Sequence, residues 1–257
     1  MSGGSLDPTR RFSSRVADYV KYRPAYPPQL VDLCRREMGL QHASVVADVG
    51  SGTGISTELF LRNGNTVFGV EPNAEMRAAA EGLLSPRYPN FHSVNGTAEA
   101  TTLADGSVDL VLAAQAFHWF DQPAVAREFR RVVRAGGHVV IAWNDRKADR
   151  SPLLAGYDEL LRAHGTDYKR VSKTTTSVND LQRVFDIPFR RGAFPNEQRF
   201  DFEGFRGRAM SASYAPLPGH PSHQPFVDGL RNLFDTHERG GEVVFEYETE
   251  VFFGRVR

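Results

Sequence analysis

From residue 44 onward the chain alternates short, almost continuously apolar runs with longer stretches in which apolar residues recur every three or four positions. The runs are SVVADVG, TVFGVEP, FHSVNG, SVDLVLAAQ and HVVIAWN; among the stretches between them are GISTELFLRNG, AEMRAAAEGLL and AVAREFRRVVRAGG. Short runs rich in β-branched residues predict strands, and the 3.6-residue period predicts amphipathic helices. Strands joined by helix-length crossovers lie parallel, and their continuous apolarity predicts helices on both sheet faces. Residues 44–144 are therefore expected to form a doubly wound, Rossmann-like α/β core of five strands. Cationic residues followed by glycine in RNG (62–64) and RAGG (134–137) predict helix ends.

The flanks read differently. Residues 1–11 predict a loose tail and 12–22 a short helix, broken by the three prolines of YRPAYPP; a second helix is expected over about 28–39. The segment 12–43 is expected to act as a helical lid. Beyond Asn144 the rhythm breaks, so 145–197 predicts an insertion or cap on the sheet edge, placed to shape a binding site. A strand is expected at 198–205, a helix at 222–238 and a closing strand in EVVFEYETEVFFGRV, all within one domain spanning 12–257.

Composition narrows the classes. With 31 basic and 31 acidic residues there is no global positive field, which argues against a nucleic-acid partner. The run AREFRRVVR (126–134) reads as a solvated helix face. The single cysteine, Cys34, excludes an internal disulfide framework, and no histidine or cysteine spacing implies a metal. No apolar run reaches the roughly 18 residues of a membrane span and the start lacks a secretory core, so a cytoplasmic location without a membrane partner is expected. The chain is expected to be a monomer or weak homodimer.

The candidate chemistry sits in VVADVGSGTG (45–54). Glycines behind a buried strand permit positive φ and close approach of a ligand, and the following helix N-terminus favours an anionic, nucleotide-like one. A dinucleotide fingerprint fails in both registers, because Ile55 or Thr57 stands at the third glycine position. A P-loop fails for want of its lysine. What remains is Asp48-x-Gly50-x-Gly52-x-Gly54, with Glu71 ending the second strand, where a carboxylate suits a ribose diol.

With these motifs, and with VNGTAEATTLADGSVDLVLAAQAFHWFD and EFRRVVRAGGHVVIAWN after them, the sequence resembles the class I S-adenosylmethionine-dependent methyltransferases. AQAFHWFD and YVKYRPAYP are most similar to the small-molecule branch related to trans-aconitate methyltransferase. The resemblance implies a mostly parallel seven-stranded sheet with an antiparallel final strand. It implies that Gly50, Ser51 and Gly52 lie against the methionine part of the cofactor, that Gly54 also belongs to the cofactor site and that Asp48 meets the methionine amino group directly or through water. Glu71 would hold the ribose and Pro72 and Met76 flank the adenine. Thr97, Ala98 and Glu99 would face the adenine edge, with Gln115 and Ala116 on the rim of strand four. Many relatives carry Asp where Thr97 stands, which shifts the adenine amino contact to Glu99 or a main-chain carbonyl.

His118 and Trp119 follow the fourth strand, where substrates approach such sheets; His118 is a candidate base and both are candidate substrate contacts. Tyr19 and Tyr22 share a helix face, with Tyr19 and Arg23 expected toward the cofactor and Tyr22 toward the substrate. Asn144, ending the fifth strand, is a further substrate candidate, and RAMSASYAP (208–216) is polar and aromatic enough to line a pocket. The leading expectation is methyl transfer from S-adenosylmethionine to a small carboxylate, hydroxyl or amine acceptor. The alternative is a cofactor-binding sensor or assembly protein without turnover.

Overall fold

The structure, a computed structural model, describes residues 20–168, 177–185 and 188–256. Its centre is a seven-stranded sheet in the order β3-β2-β1-β4-β5-β7-β6. The strands are β1 (Val45–Val49), β2 (Thr66–Val70), β3 (Phe91–Val94), β4 (Val108–Ala114), β5 (Val133–Asp145), β6 (Arg190–Phe200) and β7 (Val243–Arg255). The first five are parallel, while β7 runs antiparallel to both β5 and β6.

Helices α1 (Gln29–Met38), α2 (Ile55–Arg62) and α3 (Ala74–Leu84) cover one face, with Leu30, Phe60 and Leu84 against Val46, Leu112 and Val140. On the other face, α4 (Gln122–Val132) and α6 (Val178–Val184) press Val125, Phe129 and Leu181 onto Ala47, Val111 and Ile141. Burial on both faces is why these strands carry no polar alternation.

A third core explains the cap. β5 ends beside Glu248, so residues 243–247 of β7 overshoot it and pair only with 196–200 of β6. On this overhanging hairpin sit α5 (Pro152–His164), α7 (Phe202–Met210) and α8 (His223–His237). Tyr157, Phe205, Phe226 and Phe245 are completely buried between them. The hairpin thus carries a second hydrophobic centre above the carboxyl ends of the parallel strands, where loops of this fold class bind ligands.

Two expectations need correction. The strand expected at 198–205 runs instead over Arg190–Phe200, inside the segment read as insertion, and Phe202–Met210 is helical because Asp201 caps it through Gly204 N. β6 is the sheet edge, so it is largely polar and tolerates Pro195, which hid it from an apolar pattern. RAGG does not end a helix: α4 stops at Val132, and Gly136 (φ 81°) lies where the β4–β5 register slips. Of the early helix only residues 20–22 fall within the described residues, and they are helical. Among the described residues no helix is long and apolar enough to cross a membrane.

Candidate functional site

A cavity of about 530 Å³ lies between the β1–α2 loop, the ends of β4 and β5, and the cap. Gly50, Gly52 and Gly54 all have positive φ, at 71°, 57° and 87°. Their reasons differ. A Cβ on Gly50 would stand 2.6 Å from Ala116 Cβ, and one on Gly54 would stand 2.5 Å from Leu84 Cδ1, so both are bare because protein packs there. A Cβ on Gly52 would meet nothing within 4 Å, and Gly52 lines the cavity. Gly54 and Ala116, expected at the cofactor, are therefore packing positions behind the wall.

The loop amides are also committed. Gly50 N and Ser51 N donate to Val70 O (2.8 and 3.2 Å), Gly52 N to Glu71 Oε2 (3.0 Å) and Gly54 N to Ser51 O (2.9 Å). These four amides are thus used within the fold, while α2 begins at Ile55 with no side-chain cap on its N-terminus.

Asp48 is wholly buried below the loop, and its Oδ2 accepts from Ser56 Oγ and Thr57 Oγ1, both at 2.7 Å. Its Oδ1 has no hydrogen-bond partner, and neither has the buried Thr53 Oγ1. Burial pushes the Asp48 carboxyl up to about 6, against the two hydroxyl bonds. Asp48 does not reach the cavity wall; Ser56, which it holds, does.

Glu71 is locked in place. Its Oε1 accepts from Asn73 N (2.9 Å) while Oε2 holds Gly52, and burial raises its carboxyl above the usual range. Asn73 caps α3 through the amides of Glu75 and Met76. Arg77 donates to Glu71 O, Pro72 O and Asn95 Oδ1, clipping the end of β2 to the loop after β3. Met76 and Ala98 are buried, Thr97 Oγ1 accepts from Ala100 N, and Glu99 Oε1 accepts from Asp121 N (3.0 Å). Glu71, Pro72, Met76, Thr97, Ala98 and Glu99 lie outside the cavity wall, Glu71 being joined to it through Gly52.

At the far side Gln115 (φ 57°), His118 and Trp119 line the cavity, the two rings 4.8 Å apart. Burial pulls the His118 imidazole down to about 4. Asn144 lines it too, but its side chain is spent: Nδ2 donates to Ala25 O (3.2 Å), and Oδ1 accepts from Thr249 Oγ1 (2.6 Å) and Asn196 Nδ2 (3.1 Å). The expected substrate contact is a clasp joining the proline segment to β5, β6 and β7. Tyr22 is a second correction: its ring fills the space beside Gly207 of α7, away from the cavity. Arg23 lines the cavity and donates to Ser211 O of the cap (3.1 Å). Tyr19 lies outside the described residues.

Sequence reasoning missed Thr53, Trp143, Arg146 and Tyr247, all of which line the cavity, whereas the stretch RAMSASYAP, expected at a pocket, lines it through Arg208, Ser213 and Tyr214. Thr53 lay inside the quoted motif and its burial was the missing information. Arg146 and Tyr247 carry no local signal, because only the packing of the cap on the β6–β7 overhang brings them to the cavity.

Residues 47–141 match the methyltransferase domain family. An uncharacterized methyltransferase of Mycobacterium tuberculosis is 38% identical over 57% of this chain and 57% of that protein. An uncharacterized methyltransferase-like protein of Schizosaccharomyces pombe is 32% identical over 62% and 60%. The chain thus spans little more than half the length of the relatives it matches. Of solved structures, a candidate type II methyltransferase from Anaeromyxobacter dehalogenans superposes with a TM-score of 0.66 at 22% identity, over 91% of this chain and 98% of the other. Geranyl diphosphate C-methyltransferase of Streptomyces coelicolor, solved with Mg²⁺, geranyl diphosphate and S-adenosyl-L-homocysteine, superposes at 0.50 and 15%, over 89% and 79%. The sheet order, the glycine loop and the match over 47–141 together make that segment a methyltransferase domain of the class I, S-adenosylmethionine-dependent family.

Proposed function

We propose that the chain transfers a methyl group from S-adenosylmethionine to a small-molecule acceptor held under the cap. The observation that carries this reading is the pair formed by Glu71 and Gly52, a pre-oriented carboxylate fixed to the one loop glycine that faces open space. The residues present fit the cofactor. Each Glu71 oxygen retains a lone pair for a ribose hydroxyl after accepting one amide. Thr53 Oγ1 on the wall and Asp48 Oδ1 behind it are orphaned polar atoms, suited to an ammonium group that Asp48 reaches through water. When bound, the cofactor supplies an electrophilic methyl on a sulfonium.

The protein's own work is positional. The loop and Glu71 orient one partner, the cap and the Trp119 ring wall off water, and the clasp at Asn144 holds the proline segment across the entrance. At neutral pH the His118 ring is uncharged, so its lone pair can accept an acceptor proton, though a group titrating near 4 is a weak base. That favours acceptors that ionise readily or have no proton to lose. With an acceptor that must lose a proton, His118→Ala should cut turnover at least about tenfold while leaving cofactor affinity within about twofold. Parallel losses in steady-state kinetics and in binding would remove His118 from the chemistry.

The reading is tested by calorimetric titration of the purified chain with S-adenosylhomocysteine and, separately, NAD. Micromolar binding of the first, about −8 kcal/mol, and none of the second is expected. The affinity should weaken as pH falls through about 6: Asp48 is raised above its ordinary value, so it is ionised only above that pH, and a cation is best held by the ionised form. Binding of NAD alone would reject methyl transfer. Tight cofactor binding without transfer of label to any of a broad acceptor panel would favour the non-catalytic alternative.

A further inference from the structure

The cap end of the cavity is lined by Arg146, which follows β5, and Arg208 on α7. Arg208 is buried at 4% exposure and the Arg146 side chain is 12% exposed, and each has a buried nitrogen without a hydrogen-bond partner, Nε of Arg146 and Nη1 of Arg208. Their remaining contacts are mostly with tyrosines: Arg208 Nε donates to Tyr247 Oη (2.7 Å), and Arg146 Nη2 to Tyr168 Oη (3.0 Å) while stacking over Tyr157. The nearby carboxylates are spent elsewhere. Asp158 lies 3.8 Å from Arg146 but is engaged by Arg162 at 2.6 Å and by the Tyr168 hydroxyl. Asp145 and Glu250 are bridged by Lys147, and Glu250 also by Arg191. Among the described residues no carboxylate forms an ion pair with Arg208.

Buried guanidiniums short of negative charge are costly unless something supplies it. The field they create is visible on Tyr214: burial alone would raise its phenol, yet Arg146, Arg23 and Arg208 outweigh that and hold it below the ordinary tyrosine value. The cofactor does not answer this deficit by position. Its loop follows β1, whereas Tyr247 stands on β7, three strand spacings away, or about 14 Å across the sheet.

We propose that Arg146 and Arg208 form an oxyanion-binding subsite that anchors a carboxylate or phosphate of the methyl acceptor, apart from the atom that receives the methyl. This rests on the methyl-transfer reading and adds to it a substrate class: small acids carrying one anionic anchor and a separate nucleophilic atom. The forked guanidinium geometry suits such planar or tetrahedral oxyanions.

The test uses the full chain in thermal-shift titrations at constant ionic strength with glutarate, inorganic phosphate and chloride, each with and without saturating S-adenosylhomocysteine. A saturable rise in Tm with glutarate or phosphate but not chloride, undiminished by S-adenosylhomocysteine, is expected, and the arm that responds identifies the anion. In Arg208→Met the apparent Kd for that anion should weaken roughly tenfold or more, while the S-adenosylhomocysteine shift persists as proof of folding. Arg146→Gln gives a second reading, and the wild-type arms stand without either variant. No saturable shift with either anion, or an unchanged Kd in folded variants, overturns the proposal. So does loss of the anion shift on adding S-adenosylhomocysteine, which would assign the guanidiniums to the cofactor carboxylate. Failure of S-adenosylhomocysteine to bind would strike the methyl-transfer reading, with the anion arms still deciding the subsite.

Discussion

Replacing Glu71 by alanine is expected to weaken S-adenosylhomocysteine binding about 100-fold, close to 3 kcal/mol, with the largest part lost from the ligand contact itself. The carboxylate does two jobs at once. It holds Gly52 N and Asn73 N, so its removal leaves both amides without their acceptor and frees the loop from the end of β2. It also removes the lone pairs assigned to the ribose. Glu71→Gln separates the two, because one amide oxygen still holds a backbone N–H while charge and half the acceptor capacity are lost. An intermediate loss for Gln in calorimetry is therefore expected, and affinity unchanged in both variants would place the cofactor elsewhere.

Gly50→Ala should lower unfolding stability by about 2–5 kcal/mol, the sum of a left-handed backbone penalty and overpacking. The new Cβ would sit 2.6 Å from Ala116 Cβ, which has no rotamer to turn away, and 3.2 Å from the Phe120 ring. Gly52→Ala is the contrasting variant. Its φ is also positive, but its Cβ would meet no protein atom within 4 Å. Its stability loss should stay near the conformational term alone, about 1–2 kcal/mol, while cofactor affinity drops because the methyl group projects into the cavity. Urea unfolding and calorimetry on the two proteins resolve this; equal stability losses would mean the loop glycines share one role.

The cap owes its place to a length mismatch. β7 pairs with β5 only from Glu248 to Arg255, and the continuation, paired with β6 alone, needs a cover for its apolar side chains. Phe245 and Tyr247 point that need at α5, α7 and α8, and the same packing delivers Arg208 to the cavity. In the proposed function, acceptor selection falls to this third core and cofactor binding to the parallel one.

Much of this was legible in the chain. The five parallel strands, their helices and the Asp48, Gly52 and Glu71 positions follow from local patterns, because a strand buried on both faces and a tight βα turn each demand particular residues in consecutive order. The reading stopped where contacts are non-local. Asn144 looked like a substrate contact until Ala25, Asn196 and Thr249 were found around its amide. Tyr22 looked like a lid residue until Gly207 received its ring.

By itself the sequence determined the Rossmann-like core and the cofactor loop, since periodicity and turn chemistry act over a few residues and need no partner. Only the tertiary structure decided which glycines answer to packing, which polar side chains are already satisfied, and that Arg146 and Arg208 line one cavity. Those are properties of burial and of hydrogen-bond supply, and they exist only once segments separated by many residues have closed on one another.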